Sequence, residues 1–248
     1  RPSIPKPGTK ASATMKLARL YDDLQEPDQA ISWWKKALAL DPGNRELLDQ
    51  LADRLGWRKR YQELIKLLEP VPHLPPRLLA LLAMSYDEIG ETAKNIPVYE
   101  KLVAAEPGNQ YYLLRLADLY QSHGNIEAEL ELRQRLARED KEGNLALEYG
   151  CRLEALGRLR PAAEAYLAAW KAHPADDQPA QNLVYLALAQ SWPETAEWAA
   201  RNLEKGPEDA EIPASGGWWH WEKGNKEIAL ALFKKAELCI CVPAASTP

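Results

Sequence analysis

The chain has 248 residues, 46% of them hydrophobic and 27% charged, with both signs mixed to a formal net charge of −5. That balance excludes nucleic-acid binding as the main task, since neutralising phosphates needs a basic face. No apolar run approaches the roughly 20 residues that span a bilayer, and the cysteines Cys151, Cys239 and Cys241 match neither a disulfide framework nor a zinc-ligand spacing.

The sequence opens at Arg1 with no initiating Met and no charged-then-apolar leader, so it reads as an internal piece of a longer protein. Residues 1–10, RPSIPKPGTK, hold three prolines and read as a disordered lead-in. Apolar residues then recur at spacings of three and four, the signature of amphipathic helices. Leu17, Ala18 and Tyr21 mark a first helix, and Ala30, Trp34 and Ala37 a second. DPGN at 41–44 closes this pair, and EPGN at 106–109 closes another 65 residues later. Pro42, Pro107, Pro174 and Pro207 each end a helical stretch, while Gly90, Gly124, Gly157 and Gly224 sit in the turns inside successive pairs. Near the end, EIPASGGWWHWEKGN puts Pro213, Gly216 and Gly217 where a first helix should lie, at roughly 1 kcal/mol for each interior Gly. It is followed by ELCICVPAASTP, with no polar capping helix, so the native chain is expected to continue.

This pattern resembles the tetratricopeptide repeat (TPR), a 34-residue helix–turn–helix unit. The resemblance implies an all-α fold, a right-handed α-solenoid of about seven TPR hairpins. The units lie near 11–44, 45–75, 76–109, 110–142, 143–176, 177–209 and 210–243, followed by a tail at 244–248. The family's small residue at position 8 falls on Ala18, Ala52, Ala83, Ala117, Gly150, Val184 and Gly217, and its large apolar position 7 on Leu17, Leu51, Leu82, Leu116, Tyr149, Leu183 and Gly216. Position 20 gives Ala30, Ala162, Ala196 and Ala229, and position 24 gives Trp34, Tyr99, Tyr166 and Phe233. A small residue on one helix lets its partner approach, and stacked hairpins bury what one hairpin cannot.

Three units depart from the pattern. The second is three residues short: its second helix, RYQELIKLLEP, stops before VPHLPP, where the superhelical pitch should change. In the third, Asn95 takes a small position and Pro97 falls in the same helix, so that helix is expected to start late with Pro97 in its first turn. In the fourth, Ala128 and Leu132 arrive one residue early, which predicts a turn shortened by a residue.

In the TPR family the binding groove is lined by the first helices. Carried over position by position, the resemblance names Arg19, Asp22, Asp49, Asp53, Met84, Asp87, Tyr111, Asp118, Tyr185, Trp218 and Trp221 as the partner-binding groove. Asp22, Asp49, Asp53, Asp87 and Asp118 would make the first four units acidic and draw a basic partner; as solvated helix faces they would have no such role. The family's carboxylate clamp for chaperone tails needs Lys and Asn where this chain has Met15, Arg19 and Asp53, which argues against that docking mode. Trp218 and Trp221, in WWHW, are either interface anchors, sugar-stacking rings or plugs for a unit rich in glycine.

No enzyme is expected. The histidines His73, His123, His173 and His220 lie in different units, and neither a phosphate loop nor a nucleophile elbow is present. No cofactor and no metal are expected. The leading expectation is a non-catalytic protein–protein scaffold. With Leu, Ala, Arg and Trp plentiful and the repeats degenerate, the chain is similar to the periplasmic TPR regions of bacterial exopolysaccharide-export outer-membrane proteins. That similarity implies a periplasmic scaffold that recruits a polysaccharide-modifying enzyme. The alternatives are direct binding of a cationic polysaccharide by the groove, or a cytoplasmic regulatory or assembly adaptor.

Overall fold

The computed structural model describes residues 7–173, 176, 178–190, 217–218, 221 and 224–241, with twelve helices of eight residues or more among them. The chain divides into two compact units, residues 1–129 and 130–248. The first holds α1 (Pro7–Asp23), α2 (Pro27–Leu40), α3 (Arg45–Trp57), α4 (Tyr61–Leu68), α5 (Pro76–Ile89), α6 (Thr92–Ala105), α7 (Gln110–Ser122) and the start of α8 (Ile126–Glu139). The second holds α9 (Asn144–Ala155), α10 (Leu159–Ala172), α11 (Gln178–Ala189) and α12 (Lys226–Cys241). Helices pair as hairpins, α1 with α2, α3 with α4, α5 with α6, and α9 with α10. Each hairpin leans on the next through α2–α3, α4–α5, α6–α7 and α10–α11, which is the α-solenoid arrangement.

The small positions lie where helices approach most closely. Ala18, Ala52 and Ala117 are 0% exposed, as are Ala30, Ala162 and Ala229, and the facing Trp34 and Tyr166 are also fully buried. Position 7 is buried at Leu51, Leu82, Leu116 and Leu183, but Leu17 is 39% exposed. Val184's side chain, Ala196, Pro207, Pro213, Gly216, His220 and the expected tail lie outside the described residues.

Every described hairpin turn has one geometry. Gln25, Lys59, Gly90, Gly124, Gly157 and Gly224 all adopt positive φ, from 55° to 80°, and each stands two residues ahead of the helix that follows. The chain must enter the left-handed region there to reverse direction, which glycine does freely and an L-residue does at a cost of about 1 kcal/mol. Gln25 (φ 58°) and Lys59 (φ 55°) carry that strain. Gln25→Gly and Lys59→Gly are each expected to raise unfolding free energy by about 0.5–1 kcal/mol, the relieved strain exceeding the extra freedom of the unfolded chain. Urea midpoints against wild type give the answer, and a lower midpoint contradicts the strain.

This common turn corrects the fourth-unit expectation. Gly124 precedes α8 by the same interval as the others, so no residue is missing there. Ala128 and Leu132 look early because Glu129, at 0% exposure, fills the small position itself. The absent residue lies instead between the start of α9 and Gly157, an interval one shorter than that from α7 to Gly124.

Pro97 is a second correction. α6 begins at Thr92, as the common turn dictates, and runs through Pro97 in its interior. Asn95 occupies the small position fully buried, and its Nδ2 donates to Ala83 O at 2.9 Å and to Asp87 Oδ1 at 3.0 Å. That anchorage holds the first turn in place against the proline's missing N–H. α1 begins at Pro7, inside the stretch read as a lead-in, a position where proline's fixed φ suits a helix and no amide hydrogen is needed. The second unit is short as expected. α4 has 8 residues against 14 in α2 and α6, while the junction from Glu69 to Pro75 is longer than its equivalents.

Candidate functional site

The first helices of the leading unit present one layer, and arginines bind it together. Arg19 Nη2 meets Glu46 Oε1 at 3.2 Å, joining α1 to α3, and Arg54 Nε donates to Asp22 Oδ2 at 2.7 Å across the same pair. Arg77 of α5 donates to Asp49 at 3.4 Å and pairs with Asp53, both on α3. Arg115 of α7 donates to Asp87 of α5 at 2.8 Å. The run of carboxylates that reads as an acidic groove in the sequence is therefore a ladder of rungs between neighbouring hairpins, with a guanidinium on Asp22, Asp49, Asp53 and Asp87. Asp118 lies exposed on α7.

A second pattern accounts for two of those acids. Trp34 Nε1 donates to Asp22 at 3.0 Å, Tyr99 OH to Asp87 at 2.9 Å, and Tyr166 OH to Glu154 at 2.6 Å. Each aromatic follows its acid by 12 residues, so one latch closes three hairpins from the second helix back onto the first. A buried N–H or O–H left without a partner costs its desolvation, about 1–3 kcal/mol, and the latch avoids that. Ile65 stands in the latch position after Asp53 and has no donor, which leaves Asp53 to Arg77.

Burial, and next the hydrogen bonds to Tyr111 and Asp87, raise the pKa of Tyr99 above the ordinary range; burial and Glu154 do the same for Tyr166. Tyr86, buried and donating to Glu69 Oε1 at 3.0 Å, is pushed up to about 12. These tyrosines hold their protons to higher pH when folded, so their stabilisation is complete below the unfolded value of 10.0 and fades as pH rises through the folded ones. Titration at 295 nm should show at least three tyrosines, Tyr86, Tyr99 and Tyr166, ionising late and together with loss of helical circular dichroism; ten independent ionisations near the ordinary value would contradict the latches.

The remaining candidates divide between the two units. In the first, Met84 is 38% and Tyr111 59% exposed, and Tyr111 meets Tyr112 edge-on at 5.8 Å. In the second, Tyr185 on α11 is 48% exposed. Trp218 is 62% exposed yet packs edge-on against Phe233 at 5.5 Å, and Trp221 is 51% exposed with Lys226 Nζ 5.8 Å from its ring centre. Trp218 thus has both a packing contact and a free face. Glycine at 217 is explained by the same contact, since a Cβ there would lie 2.8 Å from Phe233 Cε1.

The described clefts lie away from the ladder, between second helices. One of about 610 Å³ opens between α2 and α4, floored by Leu38, Leu51 and Leu55. Another, of about 650 Å³, follows the shortened α4, between Glu69–Leu74 and α6. In the second unit, Tyr149 and Ala165 line a smaller one of about 190 Å³ between α8 and α10. Sequence reasoning named the first helices alone and missed these; the signal was available in the truncation of α4 and in Lys35 and Lys66. Among the described residues no three His, Cys, Asp or Glu side chains are grouped to hold a metal ion, and no helix is long and apolar enough to cross a membrane.

With this geometry in view, residues 11–44, the hairpin of α1 and α2, match the model of the tetratricopeptide repeat. The chain carries a TPR. No curated protein matches the chain. Similar solved structures include the TPR protein YrrB, described as having an unusual peptide-binding site, at 14% identity over 68% of this chain and 89% of that one, TM-score 0.49. A TPR protein from Parabacteroides merdae is 19% identical over 93% of each chain, TM-score 0.45. MamA is 19% identical over 64% of this chain and 94% of that one, TM-score 0.43. The TPR match and the all-helical hairpins are consistent with a scaffold for protein–protein interaction.

Proposed function

We propose that this TPR chain is a non-catalytic scaffold that holds a partner protein on its first-helix layer. The observation that supports this most is the arginine ladder: it fixes α1, α3, α5 and α7 side by side before any partner arrives, leaving Met84 and Tyr111 exposed. A pre-ordered surface loses little freedom on binding, and exposed aromatic and thioether side chains are the usual anchors. Because its carboxylates are already paired, this layer binds through apolar anchors with charge setting register; a cationic polysaccharide would have to displace the arginines. Placement in the bacterial envelope, with a polysaccharide-modifying enzyme as partner, extends this reading on the sequence resemblance alone.

Site-specific photo-crosslinking tests the scaffold. A crosslinker at Tyr111 or Met84 should trap one protein stoichiometrically in native cells, and Tyr111→Ala should abolish the complex while the purified variant keeps its helical circular dichroism. No crosslink at either position, or an intact complex with Tyr111→Ala, overturns the layer as the binding face. Fractionation of the source cells then decides the compartment.

A further inference from the structure

We infer that the cleft between α2 and α4 is a second docking surface, and that its occupant is an acidic, leucine-bearing amphipathic helix of a partner protein. The inference rests on the scaffold reading but concerns a different face, the side of the second helices.

The cleft has an apolar floor and a cationic rim. Leu38 and Leu67 reach its surface, with Leu51 and Leu55 beneath. Lys35 stands on one wall and Lys66 on the other. The only acid in the lining, Glu63, is already held twice: Arg60 Nε donates to its Oε1 at 2.5 Å, and Lys35 pairs with Oε2. Those two hydrogen bonds, Arg60's first, keep the Glu63 carboxyl below the ordinary carboxylate range. Arg60 keeps Glu63 satisfied whether or not Lys35 stays, so Lys35 can turn to an incoming carboxylate without stranding a charge. Lys66 is exposed on the opposite wall.

This placement runs against the chain's net charge of −5. A lysine-rimmed apolar cleft on an acidic chain selects a ligand whose own pattern is its complement, with leucines at helical spacing flanked by glutamates. The other clefts lack that arrangement. The one beyond α4 has a single lysine, Lys101, with Glu69 in its lining, and the one between α8 and α10 sets Arg138 with Glu164.

The test uses fluorescein-labelled synthetic helices of about 18 residues, roughly five turns. One carries a leucine stripe flanked by glutamates; its counterpart has lysines in their place. Vesicles of anionic phospholipid form the third arm. The acidic helix should bind by anisotropy and the basic one should not. Lys66→Glu and Lys35→Gln should each weaken binding about tenfold, Lys66→Arg should retain it, and raising salt should weaken it. Both lysines are exposed, so an unchanged melting temperature identifies the loss as one of contact. Equal binding of the two helices, no effect of Lys66→Glu, or binding of vesicles without the acidic helix overturns the proposal. The crosslink at Tyr111 reads the first-helix layer independently, so a failed peptide with an intact crosslink removes this surface and leaves the scaffold standing.

Discussion

Asp87→Ala should lower the unfolding free energy by about 3 kcal/mol, the largest loss expected from any polar side chain in the first unit. One carboxylate accepts three hydrogen bonds there, from Asn95 Nδ2 at 3.0 Å, Tyr99 OH at 2.9 Å and Arg115 Nη2 at 2.8 Å. Asn95 is fully buried and its Oδ1 has no hydrogen-bond partner, so it has nothing to spare. Removing the acid strands two buried donors and a half-buried guanidinium, and each stranded group costs its own desolvation, about 1–3 kcal/mol for the neutral ones. Asp87→Asn keeps the volume and one acceptor and should recover about half of the loss. Urea denaturation decides it; a loss below about 1 kcal/mol would show the network to be water-replaceable. The result also constrains binding studies, because Asp87 variants that lose a partner will have lost a hairpin first.

Gly150→Ala is expected to destabilise the second unit by about 1–3 kcal/mol, although alanine is the better helix former by about 1 kcal/mol. A Cβ at 150 would lie 2.5 Å from Tyr166 Cε1 and 2.6 Å from Cδ1. The ring cannot swing clear, since its hydroxyl is latched to Glu154 and its face is buried among Leu153, Ala162 and Leu183. Tyr166→Leu alone should cost stability by removing ring and latch, yet in the Gly150→Ala background it should cost far less, because the clash disappears with the ring. Melting temperatures of the two single variants and the double variant give the coupling; additive losses would mean that the backbone yields instead.

Much of the fold was legible because it is written in small residues. Ala18, Ala52, Ala83 and Ala117 recur at the period of the hairpin, and a helix pair cannot close around anything larger at those places without rearranging. The same logic fails at Asn95 and Glu129, where a polar side chain fills a small position by being buried whole. Sequence pattern sees a violation there, and the departures nearby, a late helix and a shortened turn, were misplaced for that reason. The site was less legible. Position alone marks Asp22, Asp49, Asp53 and Asp87 as facing outward, but they are paired with Arg54, Arg77 and Arg115, which sit 24 to 32 residues further on. The arginines and acids of neighbouring hairpins meet only after the hairpins stack, and no local pattern announces that.

The left-handed turns divide the chain into parts that are fixed in length and parts that are not. From Gln25 to Gly224 every described turn keeps its two-residue lead into the following helix, while the described gains and losses of residues fall elsewhere, in α4, the junction from Glu69 to Pro75 and α9. Among the described residues the hairpin turn thus behaves as a hinge plate of standard size, and the helices and joints between turns take up the changes in length. A lineage that lengthens or shortens this protein is free to do so in the helices and joints between turns, one or a few residues at a time. At the turns it can change only by whole hairpins, cut from one left-handed residue to the next.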